Sequence, residues 1–502
     1  MKECIKSIML LKRTVSSLFL GLLIMIVMTG CSNDNKEPGL NDMSNNNQGP
    51  ELNSMSNIDY KPGQNDMLQF QTQYKVKGDL DVNNDILKFE QTVTVSNTGE
   101  IPMNELYFHL YANIYQSLTN KGKVEIVSVK DSKGKDVNFQ MKDDDQLMQI
   151  VLSDHIRAGE NEELEFEVIV ELPEVYDRYG VSEEEYLLAF FYPQLAVFDE
   201  DGWDLTPMSL DGDGRYSTVS DYSVQITVPN EYGVACSGKL ISSQSKEKKT
   251  TYIYEANKYR DIVLTISDQY EQREIQSGDV MILGYFHRDE SEKVKQGILE
   301  LAKHTLEYFS EQLIEYPYET LVIASINAPR NYSMEFTGFI NLQQQMVFDD
   351  NCKQTLIHEI AHQWFYGIVG NNEYQEPWLD EAFAEFMTGI CLKELYGNDV
   401  SDIYFILMKQ IVEMVPLEGK VENVNGSVKD YSTSDFCNVV YYRGAYFLTE
   451  LQEAMGEHNF MTALSQYCKT YAYQTATTDQ FVNIMKEYSN EDIEAIVNKY
   501  IK

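Results

Sequence analysis

The sequence predicts a multidomain α+β protein in which an antiparallel β domain comes first and a largely helical part follows. Two observations lead to this prediction. The 502 residues are enough for two to four domains of roughly 100–200 residues each. After Phe286, apolar residues recur at every third or fourth position instead of every second one. We place the β domain at about 67–275, a mixed domain at 276–400 and a C-terminal helical region at 401–502.

Composition and charge exclude several kinds of protein. Hydrophobic residues make up 43% of the chain and aromatic residues 12%, so most of the chain carries enough apolar surface to fold. The 40 basic and 79 acidic residues give a formal net charge of −39. This balance disfavours binding to nucleic acid or to anionic lipid, because both depend on basic side chains. The seven cysteines are too sparse for a disulfide scaffold. A large, acidic, globular protein remains.

Residues 1–30 have the features of a secretory signal peptide. Basic residues come first, and an almost wholly apolar run from Val15 to Met28 follows, which is short for a membrane span of about 20 residues. The segment Met-Thr-Gly-Cys that ends at Cys31 resembles the lipobox of bacterial lipoproteins, in which the cysteine is lipidated. The resemblance implies an extracytoplasmic protein that is anchored to a bacterial membrane through Cys31. The alternatives are an uncleaved anchor and an ordinary signal with a coincidental cysteine.

Residues 31–66 are predicted to form a flexible tether. Asn, Ser, Gly, Pro and Asp dominate this segment, and its few apolar residues cannot offset the entropy that ordering would cost. No later segment approaches about 18 consecutive apolar residues, so the sequence predicts no further membrane span.

The β domain is predicted from strict alternation of apolar and polar residues. The alternation is clear at residues 87–95, 164–172 and 222–228. Side chains of a strand point to opposite faces in turn, so this pattern indicates strands with one buried and one solvated face, as in an antiparallel sandwich.

The region after Phe286 is predicted to contain helices and short strands. Ser291 is the expected N-cap of a helix whose apolar stripe runs from Val294 to Leu313. Short strands are expected at 321–325 and 338–342, followed by two helical stretches, the second ending near Gly397. The last hundred residues are expected to be helical, with a capping box at 489–492.

The pentapeptide His358-Glu359-Ile360-Ala361-His362 is the strongest chemical signal in the chain. On a helix, positions i and i+4 share a face, so both imidazoles can reach one metal ion. Glu359 follows the first histidine and projects beside the metal rather than onto it. The flanking apolar spacing is that of a helix, which supports this interpretation.

A third ligand is available at Glu381, which follows His362 after eighteen intervening residues. A glutamate there, on a second helix, can close a site of two histidines and one glutamate with the fourth position open. An open position is what a catalytic zinc needs and a structural zinc lacks. The sequence therefore predicts one zinc ion, and it shows no glycine-rich loop that would bind a nucleotide cofactor.

The segments around these ligands identify a family. His358-Glu-Ile-Ala-His-Gln-Trp-Phe, together with Trp378-Leu-Asp-Glu-Ala-Phe-Ala, resembles the M1 family of gluzincin zinc aminopeptidases. The resemblance implies an N-terminal β saddle, a thermolysin-like catalytic domain and C-terminal helices. It covers roughly residue 70 to the end and is most specific in the catalytic third.

The resemblance also implies roles for individual residues. His358, His362 and Glu381 are the zinc ligands, and Glu359 is the general base that later passes its proton to the leaving amine. Tyr441 matches the Tyr of the family's Tyr-x-Lys-Gly motif, with arginine in place of lysine, and would donate a hydrogen bond to the oxyanion. The neighbouring Tyr442 is a rival for this role.

Two further carboxylates are candidates near the metal. Glu335, in Tyr332-Ser-Met-Glu-Phe336, matches the glutamate of the family's Gly-x-Met-Glu-Asn motif, which binds the free α-ammonium group of the substrate. The flanking Gly and Asn are replaced here, which alters the wall of the subsite. Glu385, one turn after Glu381, is expected either to orient a zinc-bound histidine or to be an ordinary solvated acid.

The leading hypothesis is a membrane-tethered zinc metallopeptidase that removes residues from the N-terminus of extracytoplasmic peptides. The changes around Glu335 keep an endopeptidase or a dipeptide-releasing enzyme open as alternatives. A non-catalytic peptide-binding lipoprotein on the same scaffold is the alternative from another functional class. Under each hypothesis, the expected partners are peptides and the membrane that anchors Cys31.

Overall fold

The structure is a computed structural model, and it describes residues 70–502 except 118, 120, 144, 176, 184, 210–211, 213, 329–332 and 420. The predicted signal peptide, the lipidation site at Cys31 and the predicted tether therefore lie outside the described residues. Strands fill the first half of the described chain and helices dominate the second half, so the predicted α+β fold class is confirmed. The predicted domain boundaries stay predictions. None of the helices in the described part combines the length and the apolar character that a bilayer span requires.

The N-terminal half forms β-sheets because its apolar residues alternate along the strands. In β1 and β2, for example, every second residue is buried. The bounds are β1 (Phe70–Asp81), β2 (Ile86–Asn97), β3 (Met103–His109), β4 (Val124–Asp131), β5 (Phe139–Lys142), β6 (Leu147–Ile156), β7 (Asn161–Glu171), β8 (Tyr179–Ser182), β9 (Glu185–Leu188), β10 (Gln194–Leu195), β11 (Phe198–Asp199), β12 (Gly202–Trp203), β13 (Ser220–Pro229), β14 (Gly233–Cys236), β15 (Lys239–Lys246), β16 (Lys249–Tyr259) and β17 (Leu264–Ser267).

Among the described residues these strands form one large sheet and smaller ones packed around it. The large sheet has the order β15-β16-β13-β1-β2-β7-β4, and the smaller sheets have the orders β10-β3-β6-β5 and β14-β17-β9-β8. In the large sheet, neighbouring strands are antiparallel except β1 and β13. These two strands run parallel, with Gln73 opposite Asp221. The large sheet contains the three alternating segments that the sequence analysis identified, in β2, β7 and β13.

A second, mixed sheet supports the helical half. It has the order β18-β19-β20-β22-β21, in which β21 is an edge strand. Its strands β20 and β22 lie where the sequence predicts short strands, and both are almost completely buried. Helix α2 contacts β22, and the sheet that contains β14 packs against β20. The bounds are β18 (Tyr270–Ser277), β19 (Val280–His287), β20 (Thr320–Ile326), β21 (Met334–Phe336) and β22 (Phe339–Gln343).

The helices follow the predicted 3–4 residue spacing. The first of them, α1, begins after Ser291, whose side chain accepts a hydrogen bond from the backbone N–H of Val294, as predicted for an N-cap. The bounds are α1 (Glu292–Gln312), α2 (Asp350–Ala361), α3 (Trp378–Tyr396), α4 (Asn398–Met414), α5 (Thr433–Phe436), a π-helix (Cys437–Arg443), α6 (Gly444–Met455), α7 (Glu457–Tyr471), α8 (Thr478–Tyr488) and α9 (Glu494–Ile501), with 3₁₀-helices at Tyr111–Ser117 and Val428–Asp430.

The capping box predicted at 489–492 is wrong. Ser489 is the C-cap of α8, and its hydroxyl bonds to the backbone of Glu491. The final helix α9 begins only at Glu494, after Ile493. The capping chemistry that the motif describes is used here to turn the chain between two helices, which local sequence does not distinguish from a helix start.

Candidate active site

The helix α2 positions the two histidines of the motif. Asp349 caps its N-terminus, with the side chain accepting from the backbone N–H of Cys352 at 3.0 Å. His358 lies in the last turn and His362 is the C-cap residue, so both imidazoles lie on one side of the helix end. The same stretch is buried against α1 and α3, which fixes the helix relative to Glu381.

Glu381 meets both histidines at one point. Its Oε2 atom lies 3.2 Å from Nε2 of His358 and 3.3 Å from Nε2 of His362, and the two nitrogens are 3.1 Å apart. Four ligands placed tetrahedrally at about 2.0–2.1 Å from zinc would be about 3.3 Å from one another. Within the described residues this is the group of potential ligands that converges on one point. The two histidines and the glutamate therefore fit zinc with a fourth position left open.

Each imidazole is oriented through its other ring nitrogen. Nδ1 of His362 lies 3.1 Å from the carbonyl oxygen of Phe365. Nδ1 of His358 lies 3.3 Å from Oε2 of Glu385, and the hydroxyl of Tyr404 donates to Oε1 of Glu385 at 2.6 Å. With a proton on Nδ1, the Nε2 atom of each ring is the one available to a metal. The structure thus places Glu385 beside a ligand histidine rather than in solvent.

Burial and close contacts shift the pKa values of Glu381 and Glu359. Burial alone would raise the pKa of Glu381, but the hydrogen bonds with His358 and His362 hold it well below its usual range. Burial raises the pKa of Glu359 to about 8, although the neighbouring His358 opposes that rise. Among the described residues, the Oε2 atom of Glu359 is buried without a hydrogen-bond partner. Such an unsatisfied carboxylate oxygen beside the three ligands can accept a proton from a bound molecule.

Tyr441 comes to the site on the π-helix Cys437–Arg443. Its hydroxyl donates a hydrogen bond to Oε1 of Glu381, and its ring is parallel to that of His358, with centroids 6.1 Å apart. Tyr442 is half-buried near Glu385, and burial and the charge of that carboxylate raise its pKa. Of the two tyrosines that the sequence left as rivals, Tyr441 is the one in contact with the ligand set. π-Helical turns are rare and often lie at functional sites.

Glu335 lies in the edge strand β21 and is almost completely buried. Strand β21 contacts helix α2, which carries His358 and Glu359. Burial raises the pKa of Glu359 and the charge of Glu335 adds to that rise, whereas burial lowers the pKa of His362 and the charge of Glu335 opposes that fall. Gln363, the residue after His362, holds the hairpin of β21 and β22. Its side chain donates to the carbonyl of Phe336 at 3.0 Å and accepts from the backbone N–H of Gly338 at 2.8 Å. The metal-binding segment and the Glu335 strand are therefore connected directly.

Sequence analysis missed a buried arginine beside Glu335. The guanidinium of Arg215 donates from Nη2 to Oε1 of Glu335 at 2.9 Å and from Nε to Oε2 of Glu373 at 3.0 Å. Its Nη1 lies 3.7 Å from Oδ2 of Asp261. The three carboxylates lie far from Arg215 in the sequence, so no motif or local spacing could have identified this cluster.

Comparison with known proteins matches this part of the chain to one family. Residues 298–500 match the model of the peptidase family M1 domain. Curated relatives are 24–27% identical over 37–42% of the chain. Among them are the probable aminopeptidase 1 of Sulfurisphaera tokodaii (27% over 227 residues, 42% of this chain) and the leucyl aminopeptidase of Saccharolobus solfataricus (25% over 230 residues, 42% of this chain). In both comparisons the matched segment spans 28% of the relative, so this chain covers about a quarter of the length of these proteins.

Solved structures share the fold over most of the chain. An M1 zinc metallopeptidase from Deinococcus radiodurans superposes with a TM-score of 0.66 at 16% identity, covering 87% of this chain and 93% of that one. A mutant of that metallopeptidase bound to a Tyr-Ser-Ala substrate gives a TM-score of 0.64, with 87% and 94% coverage. Residues 298–500 therefore match a peptidase family M1 domain, and the chain shares the fold of M1 zinc metallopeptidases over most of its length, with three potential metal ligands that converge on one point.

Proposed function

We propose that this protein is a zinc-dependent aminopeptidase that releases N-terminal residues from peptides outside the cytoplasm. The observation that carries the proposal is that Glu335 lies on strand β21, which contacts the helix of His358 and accepts a hydrogen bond at Phe336 from Gln363, the residue after His362. A buried carboxylate at that point can hold the α-ammonium group of a peptide, so that the first peptide bond reaches the metal. The relatives named above as aminopeptidases support the same substrate class.

The chemistry that zinc supplies when bound is Lewis acidity, which polarises a carbonyl group and makes water more acidic. Glu359 accepts a proton on its unpartnered Oε2 atom from the water that attacks the scissile carbonyl. The same carboxyl group then donates that proton to the nitrogen of the leaving amine. Its burial keeps bulk water from competing for these transfers.

Tyr441 donates a hydrogen bond to the oxygen that becomes negatively charged when the carbonyl is attacked. In the structure its hydroxyl donates to Glu381 instead, so the phenol lies within reach of the ligand set. Transferring this donor from a carboxylate to the developing oxyanion strengthens an interaction in the transition state, which is how such donors accelerate acyl transfer.

The substrate backbone is proposed to extend β21. This strand lies at the edge of its sheet, and one side of it pairs with β22. An extended peptide can pair with the free side of an edge strand. Pairing there would align the peptide with Glu335 and hold its scissile bond near Glu359.

The location outside the cytoplasm is part of the proposal and depends on residues 1–66. The signal-like segment, the lipobox-like cysteine at Cys31 and the polar segment that follows support a lipid-anchored protein on a tether. The tether would let the M1 domain reach peptides near the membrane surface without fixing its orientation.

The first experiment compares one peptide with a free and with an acetylated N-terminus, using the purified protein loaded with zinc. Cleavage of the free form alone supports an aminopeptidase, because acetylation removes the positive charge that Glu335 would bind. Equal cleavage of both forms would make the protein an endopeptidase. Binding of the peptide without cleavage of either form would support a peptide-binding protein instead.

A second experiment isolates the general base. Glu359→Gln should bind one zinc per chain and lose at least about 10²-fold in kcat, because the amide cannot accept the proton. The exposed Glu394 on α3 provides the control, and Glu394→Gln should leave both zinc content and kcat unchanged. Unchanged turnover in Glu359→Gln would contradict the proposed mechanism.

A further inference from the structure

Arg215 occupies an unusual environment between the β-sheets and the M1 domain. Its side chain is 3% exposed, and aromatic rings surround the guanidinium on several sides. The centroid of the Tyr366 ring is 4.6 Å from Cζ, and the rings of Phe190 and Phe336 are at 5.3 and 5.4 Å. A guanidinium held between ring faces has little freedom to move. Arg215 is therefore a fixed positive charge rather than a mobile surface residue.

The two oxygens of Glu335 differ in their surroundings. Oε1 accepts the hydrogen bond from Nη2 of Arg215 at 2.9 Å. Oε2 has no hydrogen-bond partner among the described residues, and part of its surface remains accessible. One oxygen of the carboxylate is thus held by the protein, and the other is left for a ligand.

We propose that Arg215 is the positioning residue that gives this M1 domain its selectivity for a free N-terminus, by holding Oε1 of Glu335 so that Oε2 receives the substrate's α-ammonium group. This inference rests on the proposed aminopeptidase function. It adds that the recognition of the amine depends on a residue 120 positions before Glu335 in the sequence, which does not itself touch the substrate.

The charges in the cluster explain why a cation is needed at this point. Glu335, Glu373 and Asp261 all lie around Arg215 and are almost completely buried. Carboxylates crowded together in a low dielectric repel one another, and burying them without a cation is costly. The guanidinium of Arg215 offsets part of this repulsion. With the substrate bound, two cations would face three carboxylates, which is closer to balance than one cation.

Arg215 also helps to fix the orientation of the Glu335 side chain relative to its hairpin. The hairpin that carries Glu335 is anchored from the other side by Gln363, and its turn donates a backbone hydrogen bond from Thr337 to Oδ1 of Asp261 at 3.1 Å. Asp261 in turn faces Arg215. The backbone and the side chain of the amine-binding strand are therefore held by the same cluster, and a loss of Arg215 would free the carboxylate while Gln363 still holds the hairpin.

The test uses a pair of substrates that differ only in the α-amine: alanyl p-nitroanilide and its desamino analogue, propionyl p-nitroanilide. The ratio of their kcat/KM values measures how much the ammonium group contributes to catalysis. In Arg215→Met the ratio should fall at least about tenfold, mainly because KM for the amine substrate rises. In Arg215→Lys it should fall less, because lysine keeps the charge but donates to one oxygen without the guanidinium's fixed geometry.

Arg260 provides a matched control. It is also buried between the sheets and the M1 domain, but it donates to the carbonyl oxygens of Tyr366, Ser217, Ile368 and Gln474 and not to Glu335. Arg260→Lys should lower kcat/KM equally for both substrates, so that the ratio of the two kcat/KM values stays unchanged. If Arg215→Met does not fold, Arg215→Lys and Arg260→Lys form the comparison by themselves.

Three results would overturn the inference, and they separate it from the proposed function. If both Arg215 variants lose activity on the two substrates equally, Arg215 has only a structural role and the aminopeptidase proposal stands. If the wild-type protein cleaves both substrates equally well, amine recognition itself is absent and the aminopeptidase proposal fails. If the wild-type protein cleaves neither substrate while holding zinc, the proposed function fails as well.

Discussion

At the scale of single residues, Tyr441 and Tyr442 show how one position along the chain separates a site residue from a packing residue. Tyr441 donates a hydrogen bond to the carboxylate of Glu381, whereas Tyr442 is half-buried near Glu385. We expect Tyr441→Phe to lower kcat about 10²–10³-fold with unchanged zinc content, since it removes one donor to the oxyanion. Tyr442→Phe is the matched control and should change kcat less than about threefold. Steady-state kinetics on zinc-loaded proteins checks both, and equal effects would contradict the assignment.

Glu385 and Tyr404 predict a graded effect on metal affinity. Glu385 orients His358 through Nδ1, and Tyr404 orients Glu385. Glu385→Gln should weaken zinc binding about 10–100-fold, and Tyr404→Phe should weaken it less, because it leaves the carboxylate in place. Competition with a chelator measures both dissociation constants, with Glu394→Gln as the control on the same helix. A zinc affinity equal to that of the wild type in Glu385→Gln would show that this contact does not matter.

His109 predicts an acid-dependent loss of stability away from the site. The imidazole stacks on Tyr111 and bonds through Nε2 to the carbonyl of Asp204, while Nδ1 is buried and has no hydrogen-bond partner in the described part of the chain. Burial lowers the pKa of His109 to about 4, below the value of about 6.5 in an unfolded chain. The folded state therefore binds the proton less well, and its stability falls as the pH drops from about 6.5 to about 4, by about 3 kcal/mol in total.

The measurement for His109 is urea unfolding at several pH values across that window. His109→Gln should show a smaller loss of unfolding free energy on acidification than the wild type. The exposed His155 on β6 gives the control, and His155→Gln should retain the wild-type pH dependence. Parallel pH profiles for wild type and His109→Gln would refute the prediction.

At the scale of secondary-structure elements, the N-cap of α2 is expected to support the helix without acting on the metal. Asp349 satisfies a backbone N–H at the start of α2, while His358 lies in its last turn. Asp349→Ala should lower the unfolding free energy by about 1 kcal/mol, and Asp349→Asn should retain most of it. Zinc affinity should stay at the wild-type value in both variants. Chemical denaturation and chelator competition test the two halves of this prediction separately.

At this scale, the sequence predicted the features that depend on residues close together in the chain and missed those that depend on distant residues. Periodicity of apolar residues predicts strands β2, β7 and β13 and helix α1. The spacing of His358 and His362 predicts a metal-binding helix. These features could be predicted because they depend on residues that are close in the sequence. The parallel pairing of β1 with β13 and the contacts of Arg215 with Glu335 and Glu373 join residues 120 or more positions apart. The π-helix under Tyr441 also has no local signature. Tyr441 and Glu335 were identified through the family resemblance, not through their spacing.

At the scale of the whole molecule, the net charge of −39 predicts a strong response to salt. Like charges repel across the folded surface, and salt screens that repulsion over about 10 Å at 0.1 M. Raising sodium chloride from about 20 to about 200 mM should therefore raise the thermal midpoint. Scanning calorimetry checks this, with a series at constant osmolarity in sucrose as the control. A falling midpoint would mean that the surface ion pairs stabilise the protein more than the excess acid destabilises it.

The parallel pair at the centre of the large sheet has a consequence for biosynthesis. The hydroxyls of Thr72 and Ser220 bond across this pair, although 148 positions separate them. One edge of strand β1 therefore stays unpaired until β13 has been synthesised. Until then, the intervening strands must not pair with that edge. Long-range pairing of this kind makes folding slow, because a long loop must close before the contact forms. If the protein is exported as we propose, slow pairing of β1 with β13 would keep the chain unfolded until export, and the central sheet would form only after the chain has crossed the membrane.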